Sequence, residues 1–99
     1  MFVKFSTSKR KDKKYTAQFF DDDGDIIKTV HFGQSGASDM TQHGNEDRKK
    51  LYLLRHKKNE NWNDYQSRGG LARWILWNKP TLEASINDYV KRFKLKLKK

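Results

Sequence analysis

Tyr15-Thr16-Ala17-Gln18-Phe19-Phe20-Asp21-Asp22-Asp23-Gly24-Asp25-Ile26-Ile27-Lys28-Thr29-Val30-His31-Phe32 is the stretch on which the fold class turns. Tyr15, Ala17 and Phe19 alternate with Thr16, Gln18 and Phe20; after the acidic break, Ile26, Lys28, Val30 and Phe32 alternate with Ile27, Thr29 and His31. Successive side chains of a strand point to opposite faces, and Asp with Gly supplies tight-turn geometry, so this pattern predicts a β-hairpin. Upstream, Phe2-Val3-Lys4-Phe5 reads as a third strand, and residues 6–14 as an exposed loop in which lysines sit too densely to pack. Downstream, residues 33–44 carry Gly33, Gly36 and Gly44 among small polar residues and read as irregular.

From Asn45 the spacing turns helical. Asn45 is a cap in type, Glu46 and Asp47 stand at the positive end of the helix dipole, and Arg55, His56, Lys57 and Lys58 at the negative end. Leu51, Leu54 and Lys58 share one face, with Tyr52 and Leu53 beside it, so the buried stripe is expected there. Residues 59–70 are a polar connection containing Trp62; Leu71-Ala72-Arg73-Trp74-Ile75-Leu76-Trp77 then forms a short apolar helix that Pro80 stops. Thr81 caps a last helix, in which Leu82, Ile86, Tyr89 and Phe93 recur at helical intervals. The expectation is one α+β domain over residues 1–99: a small antiparallel sheet of about three strands within 1–33, then two longer helices and one short Trp-rich helix within 45–93, then a basic tail at 94–99. Trp74, Trp77, Ile86, Tyr89 and Phe93 are its expected structural core.

Composition restricts what such a domain can do. A chain of 99 residues, 34% hydrophobic and 34% charged, hides only about two-thirds of its unfolded surface, so a large enclosed substrate cavity is not expected. Aromatic residues at 13% separate it from disordered basic tails, and the lack of cysteine excludes disulfides, thiolate zinc sites and thiol catalysis. No apolar run reaches the roughly 18 residues of a membrane span, and the first residues lack the apolar stretch of a secretion signal. With 22 Lys+Arg against 12 Asp+Glu the net charge is +10, which attracts nucleic acid, an anionic membrane or an acidic protein surface. In successive blocks of about twenty residues the charge runs +5, −4, +3, +2 and +4, so both ends are basic and the acidic island is local. The residues expected to reach a partner are Lys9, Arg10, Lys11, Lys13 and Lys14 at one end; Lys91, Arg92, Lys94, Lys96, Lys98 and Lys99 at the other; and Arg68 and Arg73 around a helix start. Phe93, Leu95 and Leu97 alternate with Lys94, Lys96 and Lys98, a pattern suited to an added edge strand or an arm laid on another protein or a membrane.

No constellation demands chemistry. Gly24 comes fourth after Asp21 and no glutamate follows before Glu46, so the acidic turn lacks the calcium-loop spacing and reads as an ordinary turn. His31, His43 and His56 have no metal-motif spacing, and no nucleophile elbow exists for a hydrolytic triad. Gly33-Gln34-Ser35-Gly36 and Arg68-Gly69-Gly70 have spacings that can cradle phosphate, yet both read more simply as turns. Trp62, Trp74 and Trp77 beside Arg73 and Lys79 invite base stacking, but Trp74 and Trp77 lie amid Ile75 and Leu76 and read as core. No catalytic, cofactor-binding or metal-binding residue, no cofactor and no small-molecule substrate is expected.

Four segments carry a resemblance: Lys14-Tyr15-Thr16-Ala17, Lys28-Thr29-Val30-His31-Phe32-Gly33, Arg55-His56-Lys57-Lys58-Asn59-Glu60-Asn61-Trp62, and Leu71-Ala72-Arg73-Trp74-Ile75-Leu76-Trp77-Asn78-Lys79-Pro80-Thr81-Leu82. Together, from about residue 14 to 93, they resemble a small domain family of large double-stranded DNA viruses of algae and amoebae, of the chlorovirus and mimivirus kind. The acidic turn and the Lys-Leu tail lie outside the likeness, and it carries over no functional residue. What it implies is a virion or virus-factory setting in the host cytoplasm. The expectation is therefore a non-enzymatic minor capsid or virion component that bridges neighbouring proteins through basic extensions, with sequence-nonspecific nucleic-acid binding as the alternative and an anionic membrane as a further possible surface.

Overall fold

A computed structural model describes residues 1–98. Strands β1 (Phe2–Thr7), β2 (Lys13–Phe20) and β3 (Ile26–Gln34) are followed by helices α1 (Met40–His43), α2 (Glu46–His56) and α3 (Arg68–Leu71). A π-helical turn (Ala72–Leu76) continues α3, and helix α4 (Leu82–Arg92) and strand β4 (Lys96–Leu97) complete the order. The fold is α+β, as expected from the alternation.

The sheet has four strands in the order β3-β2-β1-β4, one more than expected, and is mixed and not antiparallel throughout, because β4 pairs parallel to β1. β1, β2 and β3 are antiparallel neighbours, with Phe5 opposite Ala17 and Ala17 opposite Val30. The turn between β2 and β3 is built by Asp21, whose carboxylate accepts from the backbone N–H groups of Asp23 and Asp25. The extra strand is the tail. Lys94 takes φ 55°, which turns the chain out of α4, and Lys96 and Lys98 then donate backbone hydrogen bonds to Met1 and Val3 of β1. Lys98 lies 4.8 Å from the Phe20 ring and Lys96 5.7 Å from Phe2. The C-terminal basic segment is thus an edge strand of its own sheet and not a free arm; Lys99 lies outside the described residues. The N-terminal lysine cluster is likewise a tight β1–β2 connection, closed by Ser8 N–H donating to the Lys14 carbonyl.

One sheet face meets the helices. Val3, Ala17, Phe19, Val30 and Phe32 pack with Leu71, Ile75, Leu76 and Tyr89. Of the expected core, Tyr89 is fully buried, while Trp74, Trp77, Ile86 and Phe93 are half-buried around it. The expected helix over 71–77 begins earlier, at Arg68, because the Ser67 hydroxyl caps it through Gly70 N–H. It then widens, Trp77 N–H donating to the Ala72 carbonyl five residues back. Two glycines allow this segment to sit so close: a Cβ on Gly70 would stand 2.2 Å from the Asp64 carbonyl oxygen, and one on Gly33, at φ +82°, 2.8 Å from Leu76 Cδ1. Asn45 and Thr81 cap α2 and α4 as anticipated. Among the described residues no helix is long and apolar enough to cross a membrane.

Candidate interaction surface

Helix α2 turns the other way from the expected stripe. Tyr52 is its buried residue, with Lys49, Leu53 and His56 half-buried, whereas Leu51 is 57% and Leu54 71% exposed. The cause is aromatic. Tyr52 stacks on Trp77 at 4.4 Å with the rings 8° from parallel, and on His56 at 4.1 Å; His43 meets Trp77 at 5.5 Å. Lys49 Nζ donates to the Asn78 carbonyl, which further fixes this side inward. Burial raises the Tyr52 phenol above its ordinary range, with the Glu60 charge adding to it, and burial lowers the Lys49 ammonium. Flat rings and a long amine hold the helix, so its leucines are left as an outward ridge.

A shallow depression lies on each side of that ridge. One, of about 360 Å³, is lined by Ala37, Ser38, Arg48, Leu51, Arg55 and Trp77. The other, of about 430 Å³, is lined by Lys50, Leu53, Leu54, Lys57 and Trp62. Arg48 and Arg55 on one side and Lys50 and Lys57 on the other therefore border the leucines, an arrangement that matches an apolar surface with an acidic rim.

Beyond Arg55 the surface drops into an open cleft of about 560 Å³ between the end of the sheet, α2 and the segment from Arg68 to Trp77. Its walls carry Lys13, Lys14, Arg55 and Arg68 with two carboxylates, Asp39 and Glu60, and His56. Asp39 is 2% exposed; it binds the Lys14 ammonium and accepts from Thr41 N–H, capping α1. Glu60 faces His56 Nδ1 at 3.1 Å and accepts from the Trp62 indole N–H at 3.0 Å. Lys14 is therefore an internal ion-pair partner, not a free surface cation, a correction to its expected role.

The tryptophans form a cation stack. Both the Arg73 and Arg92 guanidiniums lie over the Trp74 ring, at 4.1 and 3.9 Å, and Arg73 also covers Trp62 at 5.4 Å. Arg73 donates to the Trp77 carbonyl, and burial, with Arg92 nearby, lowers its pKa from the ordinary guanidinium value. Arg92 pairs with Asp88 at 3.3 Å. Burial opposes ionisation of Asp88, but hydrogen bonds from Asn78 and Arg92 prevail and hold its carboxyl below the ordinary 3.8. Arg73, half-buried, is thus a structural ligand of Trp74, a correction to its expected role, whereas Arg92 covers the same ring and remains exposed. Among the other predicted contacts, Lys9, Lys11, Lys91 and Lys94 are exposed, Arg10 pairs with Asp12, and Lys13 and Arg68 line the cleft. Sequence reading assigned no role to Arg48 or Lys50 and gave Lys57 only a place at the negative end of the helix dipole; the signal for all three was their interleaving with leucines that looked buried. A family model matches residues 3–56, its description being a family of unknown function (DUF5754). No curated protein and no solved structure matches the chain.

Proposed function

The chain belongs to that family, whose description assigns no activity, and we propose its role from the geometry of α2. It is a non-enzymatic interaction protein, a minor structural component of a large DNA virus particle, that docks on the apolar, acid-rimmed surface of a neighbouring shell protein. The observation that carries this reading is the exposed Leu51 and Leu54 ridge between two depressions bordered by Arg48, Lys50, Arg55 and Lys57. Burying each leucine is worth about 1.5–3 kcal/mol, while the surrounding cations orient the encounter and reject basic partners. The bridging role rests on the body's own surface, since the C-terminal basic segment is an edge strand of the sheet and the N-terminal cluster a tight connection between β1 and β2. The particle setting rests on the resemblance of residues 14–93.

Nucleic acid is the second reading, favoured by Trp62 lining a depression between Lys50 and Lys57. Stacking on a base needs a free ring face; Trp74 carries two guanidiniums and Trp62 one, which weighs against stacking on Trp74. Counting copies against the major shell protein in purified genome-filled and genome-free particles separates the readings. A constant ratio in both, retained through a high-salt wash, is the expected result. A ratio that follows genome content would install the nucleic-acid reading, and absence from both particle types would remove the structural one.

A further inference from the structure

We propose that the cleft between the end of the sheet and α2 is a phosphate-binding site, in which Lys13, Arg55 and Arg68 hold a multiply charged phosphate group. The three cations come from three separate elements, β2, α2 and the start of α3, and line one cavity of about 560 Å³. Among the described residues, no carboxylate stands within ion-pair distance of any of the three. The two acidic groups in the cleft do not compete for them. Asp39 is taken up by Lys14 and the α1 cap, and Glu60 by His56 and the Trp62 indole. Four cations against two carboxylates leave the cleft with two surplus positive charges when His56 is neutral.

That surplus selects the ligand class. A single carboxylate offers one charge, whereas a phosphate monoester or diphosphate offers two or more, and its oxygens match the fork of a guanidinium bidentately. The walls are set before a ligand arrives: the Lys14–Asp39 pair ties β2 to the α1 cap, and Tyr52 stacked on Trp77 ties α2 to the helical segment that carries Arg68. Gly69, which also lines the cleft, leaves its floor low; a Cβ there would come within 3.1 Å of Glu60. This site shares Arg55 with the border of the Leu51 and Leu54 ridge but uses neither leucine, and Lys13 and Arg68 lie outside the ridge, so Arg68→Gln tests the cleft alone.

Calorimetric titration of the full chain with inorganic pyrophosphate tests the proposal, with a short single-stranded oligonucleotide as a second arm. Wild type should bind pyrophosphate, and Arg68→Gln and Arg55→Gln should each weaken it by roughly 10-fold or more. Both side chains are exposed, so thermal unfolding of the variants should match wild type. Lys91→Gln, an equally exposed cation on α4, should leave binding unchanged. If oligonucleotide affinity falls with Arg68→Gln in the same proportion, the phosphate is that of a nucleic-acid backbone; if only pyrophosphate responds, it is a free or nucleotide phosphate. The proposal is overturned if pyrophosphate does not bind at millimolar concentration, or if Lys91→Gln costs as much as Arg68→Gln.

Discussion

Tyr89→Ala should lower the midpoint of thermal unfolding by about 12–25 °C, the equivalent of roughly 3–5 kcal/mol for emptying a buried aromatic site in a domain of this size. Tyr89 is 0% exposed and is the point at which α4 meets the sheet. Its ring contacts Phe5 at 5.7 Å and Phe93 at 5.3 Å, both edge-on, and its hydroxyl donates to the Tyr65 carbonyl at 2.6 Å. Burial pushes the phenol above its ordinary range, which favours the protonated form that donates. Tyr89→Phe isolates the hydroxyl: it keeps the ring contacts, leaves the Tyr65 carbonyl short of a donor, and should cost about 1–2 kcal/mol. Circular dichroism melts of the two variants measure the difference. A fall of less than about 4 °C for Tyr89→Ala, about 1 kcal/mol on the same scale, would mean that α4 is not anchored through this residue.

Asp39→Ala is the second large effect. Asp39 holds two roles in one buried carboxylate: partner of the Lys14 ammonium, and N-cap of α1 through the bond it accepts from Thr41 N–H. The Lys14 side chain is only 13% exposed, so removing the carboxylate strands a charge in a site with little water. Breaking a buried pair in this way costs about 3–5 kcal/mol. Replacing both partners by apolar residues, Lys14→Met with Asp39→Leu, should restore all but about 1 kcal/mol, the share of the lost cap. Urea unfolding of the single and double variants reads both numbers. A double variant no more stable than Asp39→Ala would show that the cap and loop geometry, not the orphaned ammonium, carries the cost.

Period-two alternation made the β-hairpin legible, and the caps Asn45 and Thr81 made two helix starts legible, because each is a local signal that needs no knowledge of the rest of the chain. The tail was half legible. Alternation of Phe93, Leu95 and Leu97 with lysines suits a strand, but only the reversal at Lys94 decides that its partner is β1 of the same chain. Helix α2 was misread because hydrophobicity ranks leucine above tyrosine, lysine and histidine, whereas the surface it meets is the flat ring of Trp77, which a tyrosine matches better. The cleft was legible only in pieces: Lys13 and Arg68 stood out as cations, and Gly33-Gln34 and Arg68-Gly69 as turns able to cradle phosphate, but nothing in the sequence placed them in one cavity with Arg55. Lys13, Arg55 and Arg68 are far apart in sequence, and their approach depends on the Gly33 and Gly70 contacts that let the helical segment close against the end of the sheet. Arg73 counted as free charge in the sequence; in three dimensions it is half-buried between the Trp62 and Trp74 rings, while Arg92 covers Trp74 and stays exposed.

The claim at the centre of this account is that the outward leucines of α2 are a docking ridge. Co-expressing wild type with a Leu51→Glu, Leu54→Glu variant during infection and counting both in purified particles measures it directly. Both residues are exposed, so the variant should melt with wild type, yet the account predicts that particles take up wild type and exclude the variant. Equal incorporation of two equally stable proteins would contradict it.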